Sequence, residues 1–289
     1  MLNEKAIEDN LTYKVVKDNT LIQKAKSDLT LNEQKLVNYL ISLIKPSDID
    51  FKTYTIKISD FAKLVGLDNK HMYRDFKVII DEIESKSFWF EDDEQITKIS
   101  WVLKPKYLKK TGTVELHLDP DVKKYLIGLQ NNFTEYELYN ILSLKSKYAV
   151  SIYELLKSHS YKKMVIFGID EFKENINAGK DSYKSFGLFK QKVLEKAIDD
   201  INEFTDMQIK YECLDGHQKV MNALQGRKVA FLKFHIKTRD ELGRYSVYQK
   251  TKNRIFDSER ENSQVPHQIS FDTDNDTGDL YDDTTNQKI

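Results

Sequence analysis

Apolar residues along this 289-residue chain recur at two spacings, and the alternation between them lays out its elements. Over residues 183–206, Phe186, Phe189, Val193, Leu194, Ala197, Ile198 and Ile201 fall three, four and seven positions apart, the mark of one helical stripe packed into a core. Lys184, Ser185, Leu188, Gln191, Lys192 and Glu195 project from the other side. MQIKYECLDG (207–216) and GRKVAFLKFHIK (226–237) then alternate with period two, as strands joined by a long polar loop. A helix followed by a basic hairpin predicts a winged-helix unit, with the helix in a DNA groove and the hairpin tip, around Gln225 to Lys228, along phosphate. An amphipathic helix before a hairpin also occurs in many α+β domains, so this segment alone leaves DNA binding open.

The first half follows the same order. Residues 13–25 contain a strand pattern. Thr30 with Glu33 has the capping-box spacing, and Leu31, Leu36, Tyr39, Leu40, Leu43 and Ile44 give a helical stripe that Pro46 ends. YTIKI (54–58) alternates as a strand, and Ser59 and Asp60 are candidate caps of a helix running to Gly66. Residues 70–86 predict a helix that buries Met72, Phe76, Ile79, Ile80 and Ile83 and turns Lys70, His71, Arg74 and Lys77 outward. Strand-like runs at 88–104 and 111–118 flank KPKYLKK, with Lys104, Lys106, Lys109 and Lys110, and Asp119 and Pro120 open a helix to Leu129.

The second half reads as helix from Thr134 to Ser158, strand at 164–168 and short helix at 170–176, ahead of the helix and hairpin above. Long helix, strand, short helix, longer helix and hairpin therefore occur twice. Phe61, Tyr73 and the Phe76-Lys77 pair correspond to Phe172, Tyr183 and the Phe189-Lys190 pair. An α+β fold of two tandem winged-helix domains related by an internal repeat accounts for this. It divides into an N-terminal arm (1–27), a first domain (28–131), a second domain (132–240), and a linker with an acidic tail (241–289). Beyond Arg254 the composition shifts to Asp, Asn, Thr, Ser and Gln, which predicts disorder.

Charge sharpens this picture. Residues 256–289 hold nine acids against Arg260 and Lys288, a charge of −7 within a chain total of −1, so the remaining 255 residues carry +6. A basic body with an acidic tail is the asymmetry of a nucleic-acid binder. No apolar run approaches a membrane span and the N-terminus lacks a signal-peptide core, which predicts a cytoplasmic protein.

Catalytic and metal chemistry finds little footing. No two of the six histidines have the spacing of a DNA-nicking metal motif, so none of the 16 tyrosines stands out as a nucleophile. Gly179-Lys180 lacks the earlier glycine of a phosphate-binding loop, which would fall at Glu174. Cys213, His217 and His235 lack a clear fourth metal ligand, and residues 272–283 have Thr277 and Asp283 where a calcium loop needs Gly and Glu. No cofactor, metal or catalytic residue is expected.

Four stretches together resemble the RepB-type initiator replication proteins, the iteron-binding initiators of theta-replicating bacterial plasmids. They are LTLNEQKLVNYLISLI (29–44), LSLKSKYAVSIYELLKSH (142–159), FGLFKQKVLEKAIDDINEFTDMQIKYE (186–212) and GRKVAFLKFHI (226–236). The resemblance covers about residues 10–240 and implies two winged-helix domains, the second holding the main base-reading helix and the first serving dimerisation and a second DNA contact. It implies binding of repeated double-stranded origin sequences as monomer, repression of the protein's own gene as dimer, and recruitment of a host initiator and helicase. Residue by residue, Tyr183 to Lys196 match the recognition helix, with Tyr183, Lys184, Ser185, Lys190, Gln191 and Lys192 facing DNA. Arg227 and Lys228 match the basic start of the last strand, and Lys145, Lys147 and Tyr148 the helix opening the second domain. Ser151 stands where many relatives carry arginine, leaving no charged side chain there for phosphate. Tandem winged helices alone would equally suit a dimeric transcriptional regulator without initiator activity. The first-domain helix with Lys70, His71, Arg74 and Lys77 has two open roles, DNA contact or packing and dimer support.

Overall fold

The computed structural model describes residues 2–263 except 92–93, 180–182, 184 and 222–227, with the side chains of 2–4 and 257–263 outside the description. Its elements are α1 (Leu2–Leu11), β1 (Lys14–Asp18), α2 (Asn19–Lys24), α3 (Leu31–Ser42), β2 (Tyr54–Lys57), α4 (Ile58–Val65), α5 (Met72–Ser85), β3 (Ser87–Glu91), β4 (Ile96–Ser100), β5 (Val102–Leu108) and β6 (Thr113–Leu118). A 3-10 turn at Pro120–Tyr125 leads to β7 (Phe133–Glu137), α6 (Tyr139–Leu142) and α7 (Lys147–Ser158). A second 3-10 turn, Ser160–Lys162, precedes β8 (Met164–Gly168), α8 (Ile169–Asn175), α9 (Phe186–Phe189), a π-helical turn (Lys190–Leu194), α10 (Glu195–Phe204), β9 (Met207–Leu214), β10 (Phe231–Thr238) and α11 (Glu241–Ser263).

Two winged-helix domains emerge from the pairing. Their antiparallel sheets have the orders β2-β6-β5 and β8-β10-β9, so in each the strand before the short helix pairs with the second strand of the hairpin. The repeat extends to single hydrogen bonds. Ile58 N–H donates to Gly112 O at 3.1 Å and Ile169 N–H to Ala230 O at 2.9 Å, each tying the short helix to the residue before the returning strand. Three residues on, Phe61 meets Phe76 at 5.5 Å between ring centroids, and Phe172 meets Phe189 at 6.4 Å, both edge to face. These four rings are fully buried and lock the third helix of each domain to its second.

Local chemistry sets the helix ends. Thr30 N–H donates to Glu33 Oε2 at 2.9 Å, completing the predicted capping box. Glu33, fully buried, is neutralised by Lys86 Nζ at 2.8 Å from the end of α5. α4 starts two residues earlier than a Ser59 cap would place it, with Lys57 as cap and Ser59 and Asp60 in its first turn, and ends at Gly66 in the left-handed conformation, φ 76°.

Several expectations are corrected. Residues 134–158 are not one helix: Thr134 and Tyr136 are buried and alternate with exposed residues in β7, which pairs with β1. That pairing and the packing of α1 and α2 make the segment before residue 28 part of the body, not an arm. KPKYLKK is largely strand β5, interrupted by an irregularity between Leu103 and Lys106 where Lys104 has φ 50°. The turn at Asp119 stops at Tyr125, short of Leu129.

The expected linker is helix α11. Val247, Thr251 and Ile255, one helical turn apart, are buried against α1, α4, α6 and α10. Arg254 donates to Leu142 O at 2.8 Å and Ser143 O at 3.0 Å, closing carbonyls left open at the end of α6. Lys252 and Tyr248 grip Glu8, and Lys63 Nζ lies 4.5 Å from the Phe256 ring centroid, so α11 straps both domains. The acidic tail beyond Ser263 lies outside the described residues.

Candidate nucleic-acid interface

The surface of interest begins where α9 is seated. Ser185 caps it, its Oγ accepting from Leu188 N–H at 3.2 Å, which gives this residue a structural duty and leaves its hydroxyl hydrogen and one lone pair. Phe189 is buried beneath. Lys173 of α8 donates to Tyr183 O at 3.3 Å while its Nζ lies 5.0 Å from the Phe189 ring centroid, fixing the approach to the helix. Tyr183 is half-buried, 6.1 Å from both the Tyr148 and Phe189 rings. Burial, followed by the Tyr183 hydroxyl, pushes the Tyr148 phenol up to about 12, keeping it neutral.

The helix then widens. Glu195 N–H donates to Lys190 O, five residues back, so Lys190–Leu194 form a π turn between α9 and α10. Val193, Leu194, Ala197, Ile198 and Ile201 still face the core, whereas Gln191, Lys192 and Lys196 are exposed and Leu188 is 43% exposed. Lys190 is half-buried and paired with Glu195 at 3.2 Å; Lys192 has no acid within pairing distance among the described residues.

The structure gathers only some of the other predicted residues here. Lys147 Nζ lies 5.5 Å from the Tyr148 ring centroid, at the α9 end, though it also pairs with Asp28 at 2.8 Å. Lys145 is placed elsewhere: its Nζ lies 4.5 Å from the Phe204 ring centroid, at the far end of α10, roughly 20 Å along the helix from Gln191. Its backbone N–H donates to Asp200 Oδ2 at 2.6 Å. Lys228 is exposed at the foot of β10, while Lys184 and Arg227 lie outside the described residues.

In the first domain, Lys70, His71, Arg74 and Lys77 are exposed near the start of α5, but acids accompany them. Lys70 N–H donates to Asp68 Oδ1 and His71 Nδ1 meets Asp68 Oδ2, both at 3.1 Å. Arg74 pairs with Asp75 at 3.0 Å and Lys77 with Asp81 at 3.9 Å. Tyr73 leans on the β5–β6 turn, its hydroxyl 2.9 Å from where a Cβ on Gly112 would stand. Beside it Lys109 and Lys110 are exposed at that turn, a basic tip whose signal was the lysine-rich run itself. Lys173 also belongs to the second-domain surface and has no signal in the sequence, because an isolated lysine on an amphipathic helix carries no distinguishing pattern, and Lys196, singled out only as the end of the matched helix, is exposed there too.

Metal chemistry gains no support from the hairpin. His235 Nε2 lies 3.4 Å from Glu212 Oε2, Cys213 is buried with its thiol pKa raised by desolvation, and no metal-binding group of three or more acidic, histidine or cysteine side chains forms among the described residues. Nor is any helix among them long and apolar enough to cross a membrane.

Comparison with known proteins agrees with this architecture. The solved structure of Pi initiator protein in complex with iteron DNA superposes with TM-score 0.63 at 24% identity, over 80% of this chain and 99% of that one. The PI protein of Escherichia coli is 36% identical over 139 residues, 44% of this chain and 42% of that one, and a replication initiation protein of the same organism is 23% identical over 196 residues, 64% and 61% respectively. The matched segment thus spans less than half of the first relative. The family models cover more: residues 14–157 match the first winged-helix domain of initiator replication proteins and residues 168–236 the second, and the chain belongs to that family.

Proposed function

We propose that this protein initiates plasmid replication by binding repeated double-stranded origin sequences, with the α9–α10 helix of its second domain in the major groove. The observation that carries this reading is the exposed pair Gln191 and Lys192 on the outer face of a rigidly seated third helix. Pi initiator protein, of the same fold, was solved with iteron DNA. Gln191 is the base reader, since an amide pairs two ways with adenine, contributing about 1–3 kcal/mol of discrimination. Lys184, Lys190 and Lys192 approach phosphate, as do Arg227 and Lys228 from the hairpin; Tyr183, Ser185 and Lys147 hold the helix entrance. Residues 132–240 supply main recognition. Residues 28–131 supply dimerisation and a second contact through the α5 face. A monomer–dimer equilibrium, autorepression by the dimer and recruitment of a host initiator and helicase complete the proposal, and no bond-making step is assigned to the chain.

Fluorescence anisotropy on duplexes tiled across the DNA flanking the gene, at near-physiological salt with scrambled competitor, tests it. Tight binding confined to direct repeats is the expected result. Binding only to an inverted repeat at the promoter would make the protein a dimeric transcriptional regulator, and no preference for any duplex would remove the recognition helix from the account. Gln191→Ala is expected to lose discrimination, whereas Lys228→Ala weakens cognate and scrambled DNA alike.

A further inference from the structure

The two third helices differ by one residue, and that residue is where the π turn lies. From Phe76, the buried positions of α5 are Ile79, Ile80 and Ile83, at steps of three, four and seven in an uninterrupted α-helix. From the equivalent Phe189, the buried positions are Val193, Leu194 and Ala197, at steps of four, five and eight. Both phenylalanines dock on the matching ring of the preceding helix, so the register is fixed at the same point in both domains. The second helix therefore carries one extra residue between its first and second core contacts. It accommodates that residue as the five-residue hydrogen bond from Glu195 N–H to Lys190 O.

The consequence is on the outer face. Two residues, Lys77 and Val78, separate the core contacts of α5, whereas three, Lys190, Gln191 and Lys192, separate those of the second domain. A π turn has a poorer backbone geometry than the α-helix it interrupts, so it is retained against a local cost. The fold does not require it, because α5 fills the equivalent position of the first domain as an uninterrupted α-helix. We infer that the π turn is a specificity-determining device: its extra residue swings Gln191 outward as the base reader, with Lys192 beside it on the phosphate, and a regular helix at this site binds DNA without reading it. This rests on the groove-binding role proposed above for the helix.

Deleting Lys190 makes the test. The remaining order Phe-Gln-Lys-Val-Leu reproduces the spacing of Phe76, Lys77, Val78, Ile79 and Ile80 while keeping both Gln191 and Lys192. Lys190→Ala removes the same charge at full length, so it is expected to weaken direct-repeat and scrambled duplexes alike and keep their ratio. In anisotropy titrations the deletion is expected to lower that ratio at least about tenfold beyond Lys190→Ala, with scrambled-duplex affinity matching Lys190→Ala and a melting temperature no lower than wild type. A deletion variant that discriminates as well as Lys190→Ala overturns the inference. So does one that fails to fold, since the extra residue is then a packing requirement. Gln191→Ala checks the same point without a length change: discrimination retained in it overturns the inference. Wild-type protein with no preference for any repeat would instead sink the proposed function, a result distinct from all of these.

Discussion

α5 and the α9–α10 helix occupy one position in two copies of one fold, and they differ on the side the core does not see. Inward, each sets a phenylalanine against the ring of the preceding helix and a run of aliphatics behind it. Outward, α5 sets Arg74 and Lys77 among Asp75, Asp81, Glu82 and Glu84, while the second helix offers Lys190, Gln191, Lys192 and Lys196 with Glu195 as counter-charge. The lesson is that packing conserves the docking point and leaves both outer chemistry and helix length free to diverge. The first helices repeat the contrast. From caps Thr30 and Ser146, the same step along α3 and α7 holds buried Lys35 in one and Ser151 in the other.

The equivalence of the inner faces can be broken most forcefully at the rings. Phe76→Ala and Phe189→Ala are each expected to destabilise the protein by about 3–5 kcal/mol in denaturant titrations, and a large inequality would show that the two docking points are not the same joint.

Next in size is Lys35, where the copies differ inside. Burial, then the charge of Arg254 from α11, lowers its ammonium to about 7 from 10.5, with Asp200 of α10 acting in the opposite direction. Between those values the unfolded chain holds the proton that the folded one has released, so this group makes stability rise with pH from about 7 to about 10. Below that window both states are protonated and the full cost is present. Lys35→Met is expected to stabilise the protein at pH 7 by a few kcal/mol, at about 1.4 kcal/mol per unit of displacement, with the gain shrinking towards pH 10. Equal gains at both pH values in thermal melts would place the charge elsewhere.

The outer faces give smaller numbers. Lys192→Ala is expected to reduce the slope of log affinity against log salt by about 0.9, for cognate and scrambled duplexes alike. Smallest is the double change Arg74→Ala with Lys77→Ala, expected to shift affinity less than Lys192→Ala alone because Asp75 and Asp81 already offset those charges. A larger loss, read by the same titration, would give the first domain an equal share in binding.

Much of this was legible beforehand where local chemistry decides. The capping box at Thr30, the alternation of YTIKI, the twofold order of elements and the correspondence of Phe61 and Phe76 with Phe172 and Phe189 all follow from spacing. Gln191 and Lys192 were equally visible as the outer face of an amphipathic stripe. The four, five and eight spacing after Phe189 was in the sequence too, but a stripe drawn at ordinary helical pitch absorbs one extra residue without showing it. Other features were out of reach. β7 borders helical sequence and becomes a strand only because β1 supplies its hydrogen bonds from over 100 residues away. α11 buries three small or aliphatic residues along one edge, too sparse a stripe to announce a helix, and is held by partners on α1, α4 and α6.

The sequence by itself determined most of the elements, their duplication and the family, because periodicity, caps and turn residues act within a few positions of the chain. Only the tertiary structure decided which lysines remain exposed and which are paired or stacked on a ring. Lys145 and Lys192 look alike in sequence, yet one lies over the Phe204 ring and the other is exposed with no acid within pairing distance among the described residues, since a side chain's neighbours are set by packing between segments and not by its place in the chain alone.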